Sequence, residues 1–308
     1  MKAGRMIWTA LISLLLCLFL AGAVCEEDRE DPWQENEWNY VDRSMDVSRG
    51  IPEDASGALA RIRAAGVLQV ATEPYFPPQE FIDPAFEGQA QYVGADMKLA
   101  ARIAERMGVA LEIVPMEFSE VLDSVAEGEC DLAVSALSYT PSRAEVVTLS
   151  KGYYFGQEGQ GAVLLIRQED KETIASLGDL SGRTIVAQSG SMQEAILADS
   201  VPDYLEFRRL STAQDCYEAV AAGWADAAAV NSESAEAYIS KNRNCGLMLA
   251  PGVHLRQESQ FEGDRIAAKK WETQLIAFVN GVIDEILSED LYNTWYAESA
   301  ARAAELGL

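Results

Sequence analysis

The chain has 308 residues, 49% of them hydrophobic, which is length for about two domains and enough apolar side chain for a core in each. Its formal net charge of −25 sets it against nucleic-acid phosphates and against electrostatic docking on anionic lipid, though plain solubility explains the same charge. A single histidine, His254, excludes a His-based metal site or catalytic triad, and no metal or cofactor is expected.

The N-terminus carries Lys2 and Arg5, an apolar run from Ile7 to Leu20, and then Ala21-Gly22-Ala23, which has the small-x-small form of a cleavage site. Residues 1–24 therefore read as a signal peptide or an uncleaved membrane anchor. Cys25 is a lipidation candidate, because Leu20 to Cys25 loosely resembles a bacterial lipobox, with Val24 larger than such sites prefer. All of these readings export the rest of the chain. Residues 25–55 are acidic and polar, with Pro32 and Pro52, and read as a flexible linker. Trp33, Trp38 and Tyr40 are unusual in a linker and offer groups that dock on a folded body.

Alternating strands and helices follow. Helices are expected over Ala58–Ala65, Asp96–Met107 and Phe118–Val125, each ended by a glycine, with strands at Val67–Ala71, Ala110–Val114 and Leu132–Ala136. Gly156, Gly159 and Gly161 interrupt the pattern and suit a flexible connection. It then restarts with strands at Ala162–Ile166, Thr184–Ala187, Leu205–Leu210 and Ala227–Val230. The helices between and after them are Ser191–Ala198, Thr212–Ala222 and Ser232–Ser240. Two long helices, Trp271–Leu287 and Leu291–Leu306, close the chain. This βα alternation implies parallel strands with helices packed on them. Cys130, Cys216 and Cys245 form no CxxC pair; a Cys216–Cys245 disulfide and free buried thiols are both compatible with export.

Three strand-to-helix turns offer chemistry, since ligands of open α/β sheets bind beyond the carboxyl ends of the strands. In Ser135 to Arg143, Thr140 and Pro141 are a good N-cap and first helical residue, and Arg143 is a cation in a first turn, where the helix dipole gives it nothing. An anionic ligand suits it, as does a surface pairing with Glu145 or Asp96. In Gln188 to Glu194, Ser191 and Glu194 match a capping box and Gly190 permits close approach, so the turn reads as an anion site or as an ordinary capped helix. Glu73 to Phe81 is a stiff apolar loop that either walls a pocket, with Glu73 as its charge, or packs on the core.

Taken in order, several stretches resemble the polar amino-acid-binding family of extracellular solute-binding proteins of ABC importers. They are Thr72-Glu73 with Phe76-Pro77-Pro78, Val93 to Ala100, Asp131 to Arg143, Val186 to Ser191, and Gly223 to Ala227. The resemblance spans about Ala58 to Leu306 and implies an α/β fold of two lobes with a hinge, periplasmic binding protein type 2-like, and a ligand cleft between the lobes. Lobe 1 would take residues 56–154 and 255–308, and lobe 2 residues 155–254. By the same resemblance Arg143 holds a ligand carboxylate together with the N–H groups of Ser191 and Met192. Ser138 and the Ala136 carbonyl face the ammonium, with Ser135 nearby. Phe76 and Phe118 pack on the side chain, and Glu73 lies near its polar or basic end. Where the family has an aspartate for the ammonium this chain has Asn231, so either another carboxylate compensates, with Glu233 the nearest in sequence, or the ligand lacks a strong cation there.

The function implied is a non-enzymatic, monomeric receptor for a polar or basic amino acid, delivering it to membrane permease subunits. The alternatives are a ligand-sensing module and a cyclohexadienyl-dehydratase-like enzyme on the same fold.

Overall fold

A computed structural model of the chain describes residues 41, 43–156, 161–201, 203–255 and 263–308. The expected signal segment, Cys25, Trp33, Trp38 and Tyr40 lie outside the described residues.

The β-strands are β1 (Val67–Thr72), β2 (Tyr75–Phe76), β3 (Glu80–Ile82), β4 (Tyr92–Val93), β5 (Ala110–Pro115), β6 (Leu132–Ser138), β7 (Val147–Leu149), β8 (Ala162–Arg167), β9 (Thr184–Gln188), β10 (Glu206–Leu210), β11 (Ala227–Asn231), β12 (Leu247–His254) and β13 (Asp264–Lys269). One five-stranded sheet has the order β5-β1-β6-β13-β7, a second has β10-β9-β11-β8-β12, and β2-β3-β4 form a small third. β1 is parallel to β5 and β6, and β9 is parallel to β10 and β11. These parallel pairs are what the βα alternation demands. The later strands run the other way: β13 is antiparallel to β6 and β7, and β8 is antiparallel to β11 and β12.

The helices are α1 (Gly57–Ala65), α2 (Ala95–Met107), α3 (Phe118–Glu127), α4 (Pro141–Val146), α5 (Met192–Ser200), α6 (Ala213–Ala221), α7 (Ser232–Lys241), α8 (Thr273–Ser288) and α9 (Leu291–Leu306). On α2, Met97, Ala100, Ile103, Ala104 and Met107 are buried at helical spacing, and Gly108 ends the helix in the left-handed conformation. In the second lobe apolar residues pack on both faces of the sheet, around Leu164, Ile166 and Ile185 on one side and Leu165, Val186 and Val220 on the other. Buried on both faces, these strands read as apolar runs rather than alternating ones. Leu255 belongs to that core and donates its N–H to the Ala162 carbonyl.

The chain crosses between the two large sheets twice, from β7 to β8 and from β12 to β13. The crossovers meet where Tyr154 bridges Asp264. Cys130, Cys216 and Cys245 are free thiols, so the conceivable Cys216–Cys245 bridge is not formed. No helix among the described residues is long and apolar enough to cross a membrane.

The described part of the expected linker is not free chain. Val41 and Val47 are buried, and Val41 and Met45 donate their N–H groups to the carbonyls of Leu149 and Ala277. Asn280, fully buried on α8, organises this contact. Its Nδ2 donates to the Val41 carbonyl at 2.7 Å and the Arg43 carbonyl at 2.9 Å, and its Oδ1 accepts the Lys151 N–H at 3.0 Å. Beside it, Gly281 lets the arm lie directly on the helix, because a Cβ there would overlap the Met45 carbonyl oxygen. The segment thus straps α8 to the start of the first crossover. Polar composition suggested solvation, but a buried amide accommodates the Val41 and Arg43 carbonyls while the Leu149 and Ala277 carbonyls take the strap's N–H groups.

Asn280→Ala would leave three backbone groups without partners, and each such group costs about 1–3 kcal/mol when buried. Urea unfolding should show a loss of at least about 2 kcal/mol. A loss under about 0.5 kcal/mol would mean that the strap contributes nothing to the fold.

Candidate functional site

A cavity of about 440 Å³ lies between the two large sheets, within the range of small-molecule sites. Its walls come from the carboxyl ends of β1, β6, β9 and β11, in the form of Glu73, Ser138, Gln188 and Asn231 and their neighbours. All ten residues singled out in the sequence line it: Glu73, Phe76, Phe118, Ser135, Ala136, Ser138, Arg143, Ser191, Met192 and Asn231.

Among the described residues that line the cavity, Arg143 is the only cation. Thr140 caps α4 by accepting the Arg143 N–H at 3.1 Å, which holds the residue at the helix start. The guanidinium is buried, and it does not pair with Glu145 or Asp96. It donates to the Ser138 carbonyl at 2.6 Å and, across the cleft, to the Gly190 carbonyl at 2.9 Å. The Phe118 ring lies 5.7 Å from it. Burial pulls the guanidinium down to about 10, against the opposing pull of Asp264. Its remaining donors are a ready-made carboxylate site.

The second lobe meets it with the turn before α5. Gly190 adopts a left-handed φ of 76°, and a Cβ there would come within 3.2 Å of the Ser119 Cα on the other lobe. Both facts require glycine. The Ser191 hydroxyl caps α5 by accepting the Glu194 N–H at 3.0 Å, while the Glu194 carboxylate accepts the Gly190 N–H at 2.7 Å and pairs with Arg209. The Ser191 N–H points to the Gln188 carbonyl at 3.2 Å, and the Met192 N–H stands outside these bonds. Part of the expected anion cradle is therefore engaged locally.

Also on the cavity wall, Glu73 is buried and accepts a hydrogen bond from Gln188 Nε2 at 3.1 Å, a second contact between the lobes. Burial pushes its carboxyl up to about 8, opposed by that hydrogen bond and aided by Glu117 and Asp215.

Behind the ligand wall the geometry differs from the expected one. The Ser135 hydroxyl is fully buried, donating to Glu80 Oε1 at 3.0 Å and accepting the Glu73 N–H at 3.1 Å, so it holds the wall and is not free for an ammonium. Ala136 has a left-handed φ of 45°, costly for a residue with a Cβ, and the β6–β13 register shifts beside it. Its N–H is held at 2.9 Å by Asp96, which also accepts hydrogen bonds from Tyr153 at 2.8 Å and Tyr292 at 2.6 Å. Burial and the charges of Asp96 and Glu73 raise Glu80 well above the usual carboxylate range, and burial raises Asp96 as well.

The amine end departs furthest from expectation. Asn231 Oδ1 accepts the N–H groups of Glu233 and Ser234 at 3.0 and 3.2 Å, acting as the N-cap of α7. Glu233 lines the cavity as well, and so do Glu80, Gln188, Tyr154 and Asp264, which the sequence reading did not select. Gln188 is the polar residue that ends the apolar strand β9, at the carboxyl end where such sheets bind ligands; Asp264 had no comparable signal, because its strand role comes from its pairing with β6.

Residues 68–298 match the bacterial extracellular solute-binding proteins, family 3. The arginine-binding extracellular protein ArtP of Bacillus subtilis is 26% identical over 209 residues, 66% of this chain and 78% of ArtP. A Streptococcus pneumoniae amino acid ABC transporter substrate-binding protein solved with L-arginine superposes with a TM-score of 0.69 at 30% identity, covering 80% of this chain and 98% of that one. The cyclohexadienyl dehydratase of Pseudomonas aeruginosa is 27% identical over 136 residues, 44% of this chain and 48% of the enzyme. With two α/β lobes, a double crossover and a polar cleft between them, the chain belongs to the family 3 extracellular solute-binding proteins.

Proposed function

We propose that the cleft binds a basic α-amino acid of the L-arginine type, and that the exported protein delivers it as a monomer to the permease subunits of an ABC importer. The observation that carries this reading is the charge layout of the cavity. Among the described lining residues one guanidinium, Arg143, is set against the carboxyl groups of Glu73, Glu233 and Asp264. A zwitterion with a cationic side chain has the complementary charges, one negative and two positive. Arg143 holds the carboxylate, with the Ser191 and Met192 turn closing from the other lobe. Glu73 with Gln188 receives the side-chain cation, and Phe76 and Phe118 cover its aliphatic stem. Ser138 and the Ala136 carbonyl face the amine. The arginine-binding name of ArtP and the L-arginine bound in the pneumococcal structure support this choice of side chain. Residues 1–24 as the export segment and Cys25 as a lipid anchor belong to the same reading.

Calorimetry with L-arginine and its decarboxylated analogue agmatine tests the polarity of the site. Arg143→Ala should weaken L-arginine about 100-fold or more, as loss of a buried charge partner does, and leave agmatine nearly unchanged. Equal losses for both ligands would remove Arg143 from the carboxylate site, and chemical consumption of ligand during the titration would favour the dehydratase-like reading.

The pH dependence follows from Glu73. Its carboxyl sits at about 8 without a cation beside it, and a guanidinium favours the ionised form. Binding below that pH must release a proton, so affinity should rise from about pH 6 to about pH 8 and then level off. Glu73→Gln should make that rise shallower, leaving the share of Asp264, whose carboxyl is also pushed up to about 8. A wild-type affinity that falls over the same range would contradict the assignment.

A further inference from the structure

Asn231 cannot supply the charge that an α-ammonium calls for, and its carboxamide oxygen is already taken by two backbone N–H groups of α7. The cleft must hold that charge elsewhere if it binds an α-amino acid. Asp264 has the right position. It opens β13 and pairs in register with Ser138 of β6. Directly opposed residues of an antiparallel pair project to the same face with Cβ atoms about 5 Å apart, so the Asp264 carboxylate rises beside the Ser138 hydroxyl. On its other side the Asp264 N–H donates to the Tyr154 carbonyl at 2.7 Å, and its carbonyl accepts the Tyr153 N–H at 2.8 Å. The backbone is therefore fixed where the two crossovers meet. The carboxylate itself makes no hydrogen bond or ion pair with a described residue, although it faces Arg143 closely enough to feel its charge. A carboxylate left in a cleft without a partner is costly, and its natural partner is a ligand cation.

We propose that Asp264 is the counter-charge for the ligand's α-ammonium, doing what Asn231 cannot, so that the amine subsite has moved from the second lobe to the hinge. This rests on the amino-acid reading of the cleft. Glu233 is the rival. It sits in the first turn of α7, where the helix dipole already favours a carboxylate, and it faces the Tyr296 hydroxyl. Asp264 has no such local compensation. Burial, with Asp96 and Glu233 nearby and only Arg143 opposing, pushes its carboxyl up to about 8. An ammonium within hydrogen-bonding distance reverses that penalty.

The test uses calorimetry on the full exported chain with L-arginine and with 5-guanidinopentanoate, which keeps the carboxylate and guanidinium but has no α-amine. Asp264→Asn should weaken L-arginine about 30-fold or more while the analogue's affinity stays within about twofold of wild type. Adding Asn231→Asp to that variant should restore part of the loss. The proposal is overturned if Asp264→Asn binds L-arginine like wild type, if both ligands weaken equally, or if Glu233→Gln shows the selective loss instead. A wild-type protein that binds the analogue as tightly as L-arginine also overturns it, while leaving the carboxylate and side-chain assignments standing. Wild type that binds neither defeats the amino-acid reading itself.

Discussion

Asp96 is the interaction on which the site depends. A fully buried carboxylate is tolerable only when hydrogen-bond donors replace its lost water, and three do: the Tyr153 and Tyr292 hydroxyls and the Ala136 N–H. Those donors belong to the first crossover, the C-terminal helix α9 and the ligand-facing strand β6. One side chain on α2 therefore fixes the hinge, the returning C-terminus and the cleft wall relative to one another. It also anchors the left-handed backbone at Ala136, which regular strand pairing would not hold. Glu80, its carboxyl raised by burial and by the Asp96 charge, passes the constraint on through Ser135 to the Glu73 backbone.

The cleft then uses the same few groups for closure and for recognition. Arg143 bonds to the Gly190 carbonyl and Gln188 bonds to Glu73, so these two hydrogen bonds between the lobes run through side chains facing the cavity. A ligand that engages Arg143 and Glu73 acts on the bonds that hold the lobes together, which is the differential interaction a hinge protein needs for binding to shift its closure. The Asp264 carboxylate, at the meeting of the crossovers, puts a third ligand contact on the hinge itself.

Much of this is legible in the sequence because it is local. Glycine stops, the Thr140-Pro141 cap and the βα alternation each depend on a few neighbouring residues, and they locate the loops that carry Glu73, Arg143 and Ser191. The parts that are not legible depend on distant partners. Asp264 lies in a polar stretch with no strand signal of its own, and acquires a role only by pairing with Ser138 in a register that sequence spacing does not reveal. Ser135 looks like a ligand hydroxyl until Glu80, 55 positions away, claims it. The strap after Val41 reads as solvated chain because its partner, Asn280, is 239 residues off. Asn231 is the instructive case between these: its chemical departure is visible in the sequence, whereas the residue that answers it emerges only in three dimensions.

On the proposed reading a zwitterion lies across this cleft with its acid at Arg143, its amine at Asp264 and its cationic end at Glu73. A crystal structure of the complex with L-arginine would place each group. The α-carboxylate should lie within hydrogen-bonding distance of the Arg143 guanidinium, the ammonium beside Asp264 and Ser138, and the guanidinium at Glu73. A ligand bound in the reverse sense, or with its ammonium on Glu233 and Asp264 turned away, would contradict it.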